Sequence, residues 1–248
     1  MNYENFAACY DALTENVECP LRAARLHHLV EQHIRTEGRI LLDLACGTGS
    51  LSVEMAKKGY EVIGVDASGE MLSIAMNNAY EAEQNILFLC QQMQNLDLYG
   101  TIGSAICTLD SINHLTEKAD VQTAFDRVSL FMEKDGIFVF DVNTPYKHRE
   151  VLADNSFVYE ADGVYCVWQN TLDSTTDTVQ IDLDIFTEIE PDIYERTQES
   201  FCERAYEINE LETMLENAGF EFIAVYDELT YTAPQGNSQR VFITARKK

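Results

Sequence analysis

The chain has 248 residues, 46% of them hydrophobic and 10% aromatic, enough for a buried core in one large domain or in a domain carrying an insertion. Its formal charge of −25 repels phosphate backbones, and no basic stripe with interleaved aromatics offsets it, so nucleic-acid partners are disfavoured. Seven scattered cysteines without a Cys-x-x-Cys pair argue against a disulfide framework and a structural zinc site. No apolar run approaches the roughly 20 residues of a membrane span, and the first residues lack a signal-peptide layout, so a cytoplasmic protein with no membrane partner is expected.

Residues 1–38 read as helical: Tyr3, Phe6, Ala7, Tyr10 and Leu13 share one face, and after Pro20 so do Leu21, Ala24, Leu29 and Ile34, with Gly38 as the stop. From Arg39 the pattern becomes regular. The spacing predicts strand 39–45, helix 50–58, strand 61–66, helix 69–82, strand 86–91, strand 103–109, helix 118–133 and strand 137–142. Strands that are apolar along their length and alternate with helices imply a parallel sheet covered on both faces. Cys90 and Cys107 fall in these apolar runs and are expected to pack as small hydrophobes.

Between 157 and 205 the period changes to two. Val179, Ile181, Leu183 and Ile185 alternate with polar residues, and Asp162-Gly163 is a two-residue hairpin signal. Four antiparallel strands near 157–162, 164–172, 178–189 and 193–204 are expected to lie against the α/β body, one face apolar and the other wet. A helix over 207–218 and an antiparallel strand pair, 220–226 and 240–246, close the chain. The expected division is therefore 1–150 plus 206–248 as the main α/β domain, with 151–205 an inserted β subdomain.

Ile40 to Leu44 forms a strand-like run that breaks at Ala45-Cys46-Gly47-Thr48-Gly49 before a helix starts. Strand, glycine turn and helix begin a nucleotide-binding βαβ unit, in which glycines permit positive φ and close approach of a ligand to the backbone. Asp66 ends the next strand, 23 positions beyond Asp43, where a carboxylate can grip both hydroxyls of a ribose. Its alternative use, capping the following helix, is better served by Ser68.

Two linked segments, Asp43-Leu44-Ala45-Cys46-Gly47-Thr48-Gly49 and Val62-Ile63-Gly64-Val65-Asp66-Ala67-Ser68 with Met71 and Leu72, resemble the class I S-adenosylmethionine-dependent methyltransferases, as do Gln92-Met93 and Leu109-Asp110-Ser111. The resemblance covers about 39–145 and the closing strands. It implies a Rossmann-like seven-stranded sheet in the order 3-2-1-4-5-7-6, strand 7 antiparallel, here with the inserted antiparallel β-meander. It also implies S-adenosylmethionine as cofactor, with Asp43 and the backbone of Ala45, Gly47 and Leu109 at its methionine end. Asp66 would take the ribose, with Ala67, Met71, Gln92 and Met93 around the adenine. Two positions depart from the family pattern. Ala45 replaces a frequent glycine, which is tolerable if its φ is negative, and Gln92 replaces a frequent acid but still accepts through its carbonyl. A dinucleotide dehydrogenase would place a third glycine where Ser52 stands, so that reading is weaker.

In-line methyl transfer mainly requires alignment and exclusion of water, and a base only when the nucleophile must shed a proton. His114, in Asp110-Ser111-Ile112-Asn113-His114-Leu115, resembles the His-Leu pair of small-molecule N-methyltransferases, where it is either a base or an ordering group for its loop. Tyr10 resembles a tyrosine of the N-terminal helix that closes over the cofactor, or else packs in its helix stripe. His27, His28, His33 and His148 are expected to face solvent. Tyr165 and Trp168 are expected in sheet packing, with a place in the pocket wall as the alternative. The acceptor is expected to be a small molecule methylated at N or O, roofed by the meander. The alternatives are a methyltransferase-like binding module and a protein- or RNA-modifying enzyme. A homodimer is compatible with the sequence, which does not specify the oligomeric state.

Overall fold

The computed structural model describes residues 18–161 and 163–248. The main sheet comprises β1 (Ile40–Leu44), β2 (Glu61–Asp66), β3 (Leu87–Cys90), β4 (Ile102–Cys107), β5 (Met132–Asn143), β10 (Phe220–Asp227) and β11 (Arg240–Lys247). Its order is β3-β2-β1-β4-β5-β11-β10, with β11 antiparallel to both neighbours and the rest of the sheet parallel. This is the expected 3-2-1-4-5-7-6 arrangement, counting β10 and β11 as its sixth and seventh strands.

Among the described residues, five helices cover the sheet: α1 (Cys19–His33), α2 (Ser50–Lys57), α3 (Gly69–Glu81), α4 (Lys118–Phe131) and α5 (Ile208–Asn217). Alternation along β1 sorts the core. Leu41 packs with α1 and α2 through Leu26, Leu29, Val30, Leu51 and Met55, while Leu42 and Leu44 turn toward Phe125, Val128, Leu211 and Leu215 of α4 and α5. Because residue parity on a strand decides the face, the continuous apolar runs that marked these strands are what two covered faces require.

Two expectations about these elements are corrected. Helix α1 stops at His33 instead of Gly38, because Ile34 is extended (ψ 140°) and the N–H of Arg35 is captured by the carbonyl of Asp135 at 3.3 Å. Gly38 instead lies against the backbone of Gly103, where a Cβ would come within 2.2 Å of the Gly38 carbonyl oxygen. Cys90 is exposed, since β3 is the sheet's edge strand, whereas Cys107 is buried as expected.

The second sheet is the meander β6 (Ser156–Ala161), β7 (Val164–Asp173), β8 (Thr178–Glu190) and β9 (Ile193–Arg204), paired antiparallel in that order. Asp162 of the expected hairpin lies outside the described residues; Gly163 beside it takes φ +76°. The apolar face carries Val164, Cys166, Val179, Ile181, Leu183 and Ile185. The end of β9 is tied to the loop after β4: Asn113 Nδ2 donates to the carbonyl of Arg204 at 2.8 Å, and Arg204 Nη1 donates to that of Thr116 at 3.0 Å.

Candidate active site

The turn after β1 is built from left-handed backbone. Ala45, Gly47 and Gly49 have φ of +59°, +55° and +72°. The negative φ that would have made alanine comfortable at 45 is not what the fold adopts; an L side chain there costs about 1–2 kcal/mol. The turn is held instead by Cys46 N–H on the carbonyl of Val65 (3.0 Å) and Gly47 N–H on Asp66 Oδ2 (2.8 Å). The two glycines differ in purpose. A Cβ on Gly49 would come within 2.8 Å of the Ala75 side chain on α3, so this glycine packs helix on turn; a Cβ on Gly47 would meet no protein atom and would stand in open space at the cavity wall. Burial pushes the Cys46 thiol well up, which suits a small neutral side chain and not a nucleophile.

Asp66 is half-buried at the end of β2, accepting Gly47 N–H on one oxygen and Ser68 N–H (2.9 Å) on the other. Burial raises its pKa while these N–H groups oppose the shift. Ser68 caps α3, its hydroxyl accepting Met71 N–H at 3.2 Å, which leaves Asp66 free of that duty. Asp43 lies behind the turn, 2% exposed and outside the cavity lining, with Ser52 Oγ donating to it at 2.5 Å. Burial pushes its carboxyl up to about 7, with the negative charge of Asp66 adding to the rise.

The exit of β4 is a second strained turn. Leu109 and Asp110 are left-handed in succession (φ +57° and +56°), so that both N–H groups converge on Asp141 of β5, at 2.9 and 2.7 Å. Asp141 is fully buried and also accepts from Arg22 of α1 (2.8 Å) and Arg240 of β11 (3.3 Å). Arg240 reaches on to Asp110 (2.9 Å), and despite burial this guanidinium, with Lys147 and His114, holds the Asp110 carboxyl down at about 2. One carboxylate thus couples three elements to the shape of one loop.

Between the two sheets lies a cavity of about 640 Å³. At one end Ala45, Gly47, Asp66, Ala67, Met71, Gln92, Met93 and Leu109 line it; at the other stand His114, Phe157, Trp168, Phe201 and Glu203. His114 sits on a short 3-10 turn (Ser111–His114) with its ring 5.1 Å from that of Phe201, and burial lowers its pKa against the pull of Asp110. The imidazole is therefore neutral at neutral pH.

Residues 41–136 match a family model described as a methyltransferase domain. The chain is 35% identical to YqeM of Bacillus subtilis (strain 168), named provisionally as a methyltransferase, over 100% of this chain and 98% of that protein. The chain belongs to the class I S-adenosylmethionine-dependent methyltransferases. A crystal structure of an S-adenosylmethionine-dependent methyltransferase from Clostridium acetobutylicum ATCC 824 superposes with a TM-score of 0.86 at 28% identity, covering 99% of this chain and 98% of that one. The fold is also that of CalS10 from Micromonospora echinaspora, an amino pentose methyltransferase solved with S-adenosylmethionine bound: TM-score 0.76, 18% identity, 96% of each chain covered.

The methyltransferase cofactor is S-adenosylmethionine, and the residues present fit it. Gly47 leaves its wall without a side chain, the Asp66 carboxylate keeps lone pairs beyond the two it gives the backbone, and Met71 and Met93 supply apolar flanks. Of the candidate residues read from the sequence, the cavity brings together Ala45, Gly47, Asp66, Ala67, Met71, Gln92, Met93, Leu109 and His114; it leaves Asp43 one layer behind. Tyr10 lies outside the described residues. Trp168 lines the cavity, whereas Tyr165 is 40% exposed beside Phe186.

Sequence reasoning missed the polar floor. His148, expected in solvent, is fully buried because residues 147–152 turn back under the meander, where its Nδ1 lies 3.0 Å from the carbonyl of Asp177; burial lowers its pKa to about 4. Glu203 of β9 is 4% exposed and pairs in register with Val179, which puts a carboxyl on the apolar face of the meander. That breach of the alternation was the readable signal. Asp141, set among Phe140 and Val142 in a strand buried on both faces, carried a similar one.

Proposed function

We propose that this methyltransferase modifies N or O of a small molecule held between the main sheet and the meander, with residues 151–205 acting as a substrate-lid subdomain on the body formed by 1–150 and 206–248. The observation that carries this reading is the shape of the cavity: one continuous space joins the glycine turn to His114 and to the aromatic side chains of the meander. At about 640 Å³ it is of the size that takes a drug-sized ligand, not a folded protein surface or a nucleic-acid strand. The amino pentose acceptor of CalS10, which shares the fold, supports a small polar acceptor.

The bound cofactor supplies an activated methyl on a sulfonium. The acceptor's lone pair forms the new bond to the methyl carbon while the carbon–sulfur bond breaks toward sulfur, so the protein's task is alignment and exclusion of water. Asp66 holds the ribose hydroxyls, Ala67, Met71, Gln92 and Met93 surround the adenine, and the backbone of Ala45, Gly47 and Leu109 meets the methionine end, with Asp43 stiffening the turn behind it. His114, neutral in its buried setting, accepts the proton that an ammonium or hydroxyl acceptor must lose. Incubation with S-adenosylmethionine labelled in its methyl group and a panel of amines, amino sugars and small alcohols tests the reading. Label transferred to a low-molecular-weight acceptor supports it; label appearing only in protein or RNA would overturn it, and binding without any transfer would favour a methyltransferase-like binding module.

A further inference from the structure

The floor of the cavity holds a buried carboxyl with no Lys or Arg in ion-pair range among the described residues. Among the described residues, Glu203 has one hydrogen-bond donor, Asn143 Nδ2, at 3.2 Å from Oε2. Its ion-pair-range neighbours are two imidazoles, His114 Nε2 at 3.7 Å from Oε1 and His148 Nε2 at 4.0 Å from Oε2, and burial lowers the pKa of both. The nearby cations are engaged elsewhere: Arg240 with Asp110 and Asp141, and Lys147 Nζ with Asn143 Oδ1 at 2.9 Å. A buried carboxyl without a fixed cation is costly unless something else brings the charge. This one lines the cavity beside His114, with the rings of Phe157, Trp168 and Phe201 on the surrounding wall, and aromatic faces also favour a cation.

We propose that Glu203 is the residue that selects a cationic amine as methyl acceptor, its Oε1 receiving an N–H of the acceptor next to His114. The proposal rests on the reading of this cavity as the acceptor pocket and narrows it from N or O to nitrogen. Asn143 fixes the carboxyl from below through Oε2, which leaves Oε1 toward the cavity for the ligand. Because β9 carries Glu203 and is tied to the loop bearing His114, closing the meander on an amine and setting that amine against His114 are one event.

The pH behaviour follows. Burial and the neighbouring Asp110 push the Glu203 carboxyl up to about 8, against the opposing pull of Lys147, Arg240 and the Asn143 amide. At neutral pH it is largely protonated, and a bound cation favours the ionised form. Binding an ammonium therefore releases the carboxyl proton, and affinity for the ammonium rises as pH rises toward 8. His114 and His148, which face the same carboxyl, are neutral over that range and do not reverse the sign.

The test uses two cofactor-site ligands: S-adenosylhomocysteine, and sinefungin, which carries an amine in place of the transferable methyl. Calorimetry on the full chain is expected to show sinefungin binding at least about tenfold more tightly than S-adenosylhomocysteine, as one charge-assisted hydrogen bond provides. That preference should grow between about pH 6.5 and 8 in the wild type. It should fall to near parity in Glu203→Gln, with S-adenosylhomocysteine affinity retained, and persist in Glu195→Gln at an exposed position of the same strand. A preference absent from the wild type, insensitive to pH there, or unchanged in Glu203→Gln would overturn the proposal. If Glu203→Gln does not fold, the wild-type pH series still tests the proposal, since a preference that fails to grow would overturn it. Failure of the wild type to bind either ligand would instead overturn the cofactor-site reading beneath it.

Discussion

Replacing Asp66 by alanine separates two jobs that one carboxylate performs. The side chain accepts Gly47 N–H at 2.8 Å and Ser68 N–H at 2.9 Å, one on each oxygen, and the lone pairs left over are those assigned to the ribose. A hydrogen bond to a charged group contributes about 1.5–3 kcal/mol. Losing even one ribose bond therefore weakens S-adenosylhomocysteine binding by about tenfold or more. The backbone job has its own cost: two N–H groups lose their acceptor at a half-buried site that water can reach, worth about 1–3 kcal/mol, or a Tm lower by roughly 2–4 °C per kcal/mol in a chain of this size. Ser68→Ala is the matched control. It removes the cap on Met71 N–H, costing about 1 kcal/mol of stability, and touches no lone pair of Asp66. Isothermal titration of both variants with S-adenosylhomocysteine, beside their melting curves, should give a Kd raised at least about tenfold in Asp66→Ala and within about threefold of wild type in Ser68→Ala. A folded Asp66→Ala protein that binds S-adenosylhomocysteine like the wild type would refute the ribose assignment.

The remaining expectations follow the same geometry. His114→Ala should lower kcat by about 10²–10⁴-fold on an amine acceptor while leaving S-adenosylhomocysteine affinity intact. In the wild type, kcat at saturating acceptor should fall as acid protonates the imidazole, with the midpoint below the ordinary histidine value because burial lowers it; a midpoint at or above that value would remove His114 as the base. Asp141→Asn removes the buried charge that faces Arg22 and Arg240 and replaces one of its two accepting oxygens, each of which takes a backbone N–H and a guanidinium, by a donor; urea unfolding should show a loss of about 3–5 kcal/mol. Asp43 has its folded pKa raised to about 7, so its burial favours the protonated form: the stability it allows is complete below the unfolded carboxylate value and declines as pH climbs through 7. Asp43→Asn, which still accepts from Ser52, should therefore gain on the wild type in unfolding free energy between pH 5 and pH 8, and an equal gap at both pH values would contradict the shift.

What was legible in the sequence was local. The glycine turn, Asp66 closing its strand, the Ser68 cap and the Met71 flank all lie within one βαβ unit, where spacing alone fixes neighbours. The parallel, doubly covered sheet followed from apolar runs alternating with amphipathic helices, while its strand order came from the family resemblance. The polar floor was not legible in this way, since Arg22, Asp110, Asp141, Asn143, Lys147, Glu203 and Arg240 meet only through strand pairing and packing across most of the chain. Apart from Asp110, its members carried no motif when read one at a time. Two of them still broke the hydrophobic pattern, Asp141 inside a run buried on both faces and Glu203 on the dry face of a meander strand. A charged residue out of phase is worth following, because burial obliges it to have a partner. The left-handed φ at Ala45 was hidden for a different reason: alanine pays for that conformation, and only the hydrogen bonds of Cys46 and Gly47 show why the turn keeps it.

Binding of S-adenosylhomocysteine to the wild-type protein tests the central claim most directly. At a ligand concentration about 100 times its Kd, linkage predicts about 2.7 kcal/mol of added stability, an upward shift in Tm of roughly 5–11 °C, with matching heat in calorimetry. No heat and no thermal shift at millimolar ligand would contradict the account.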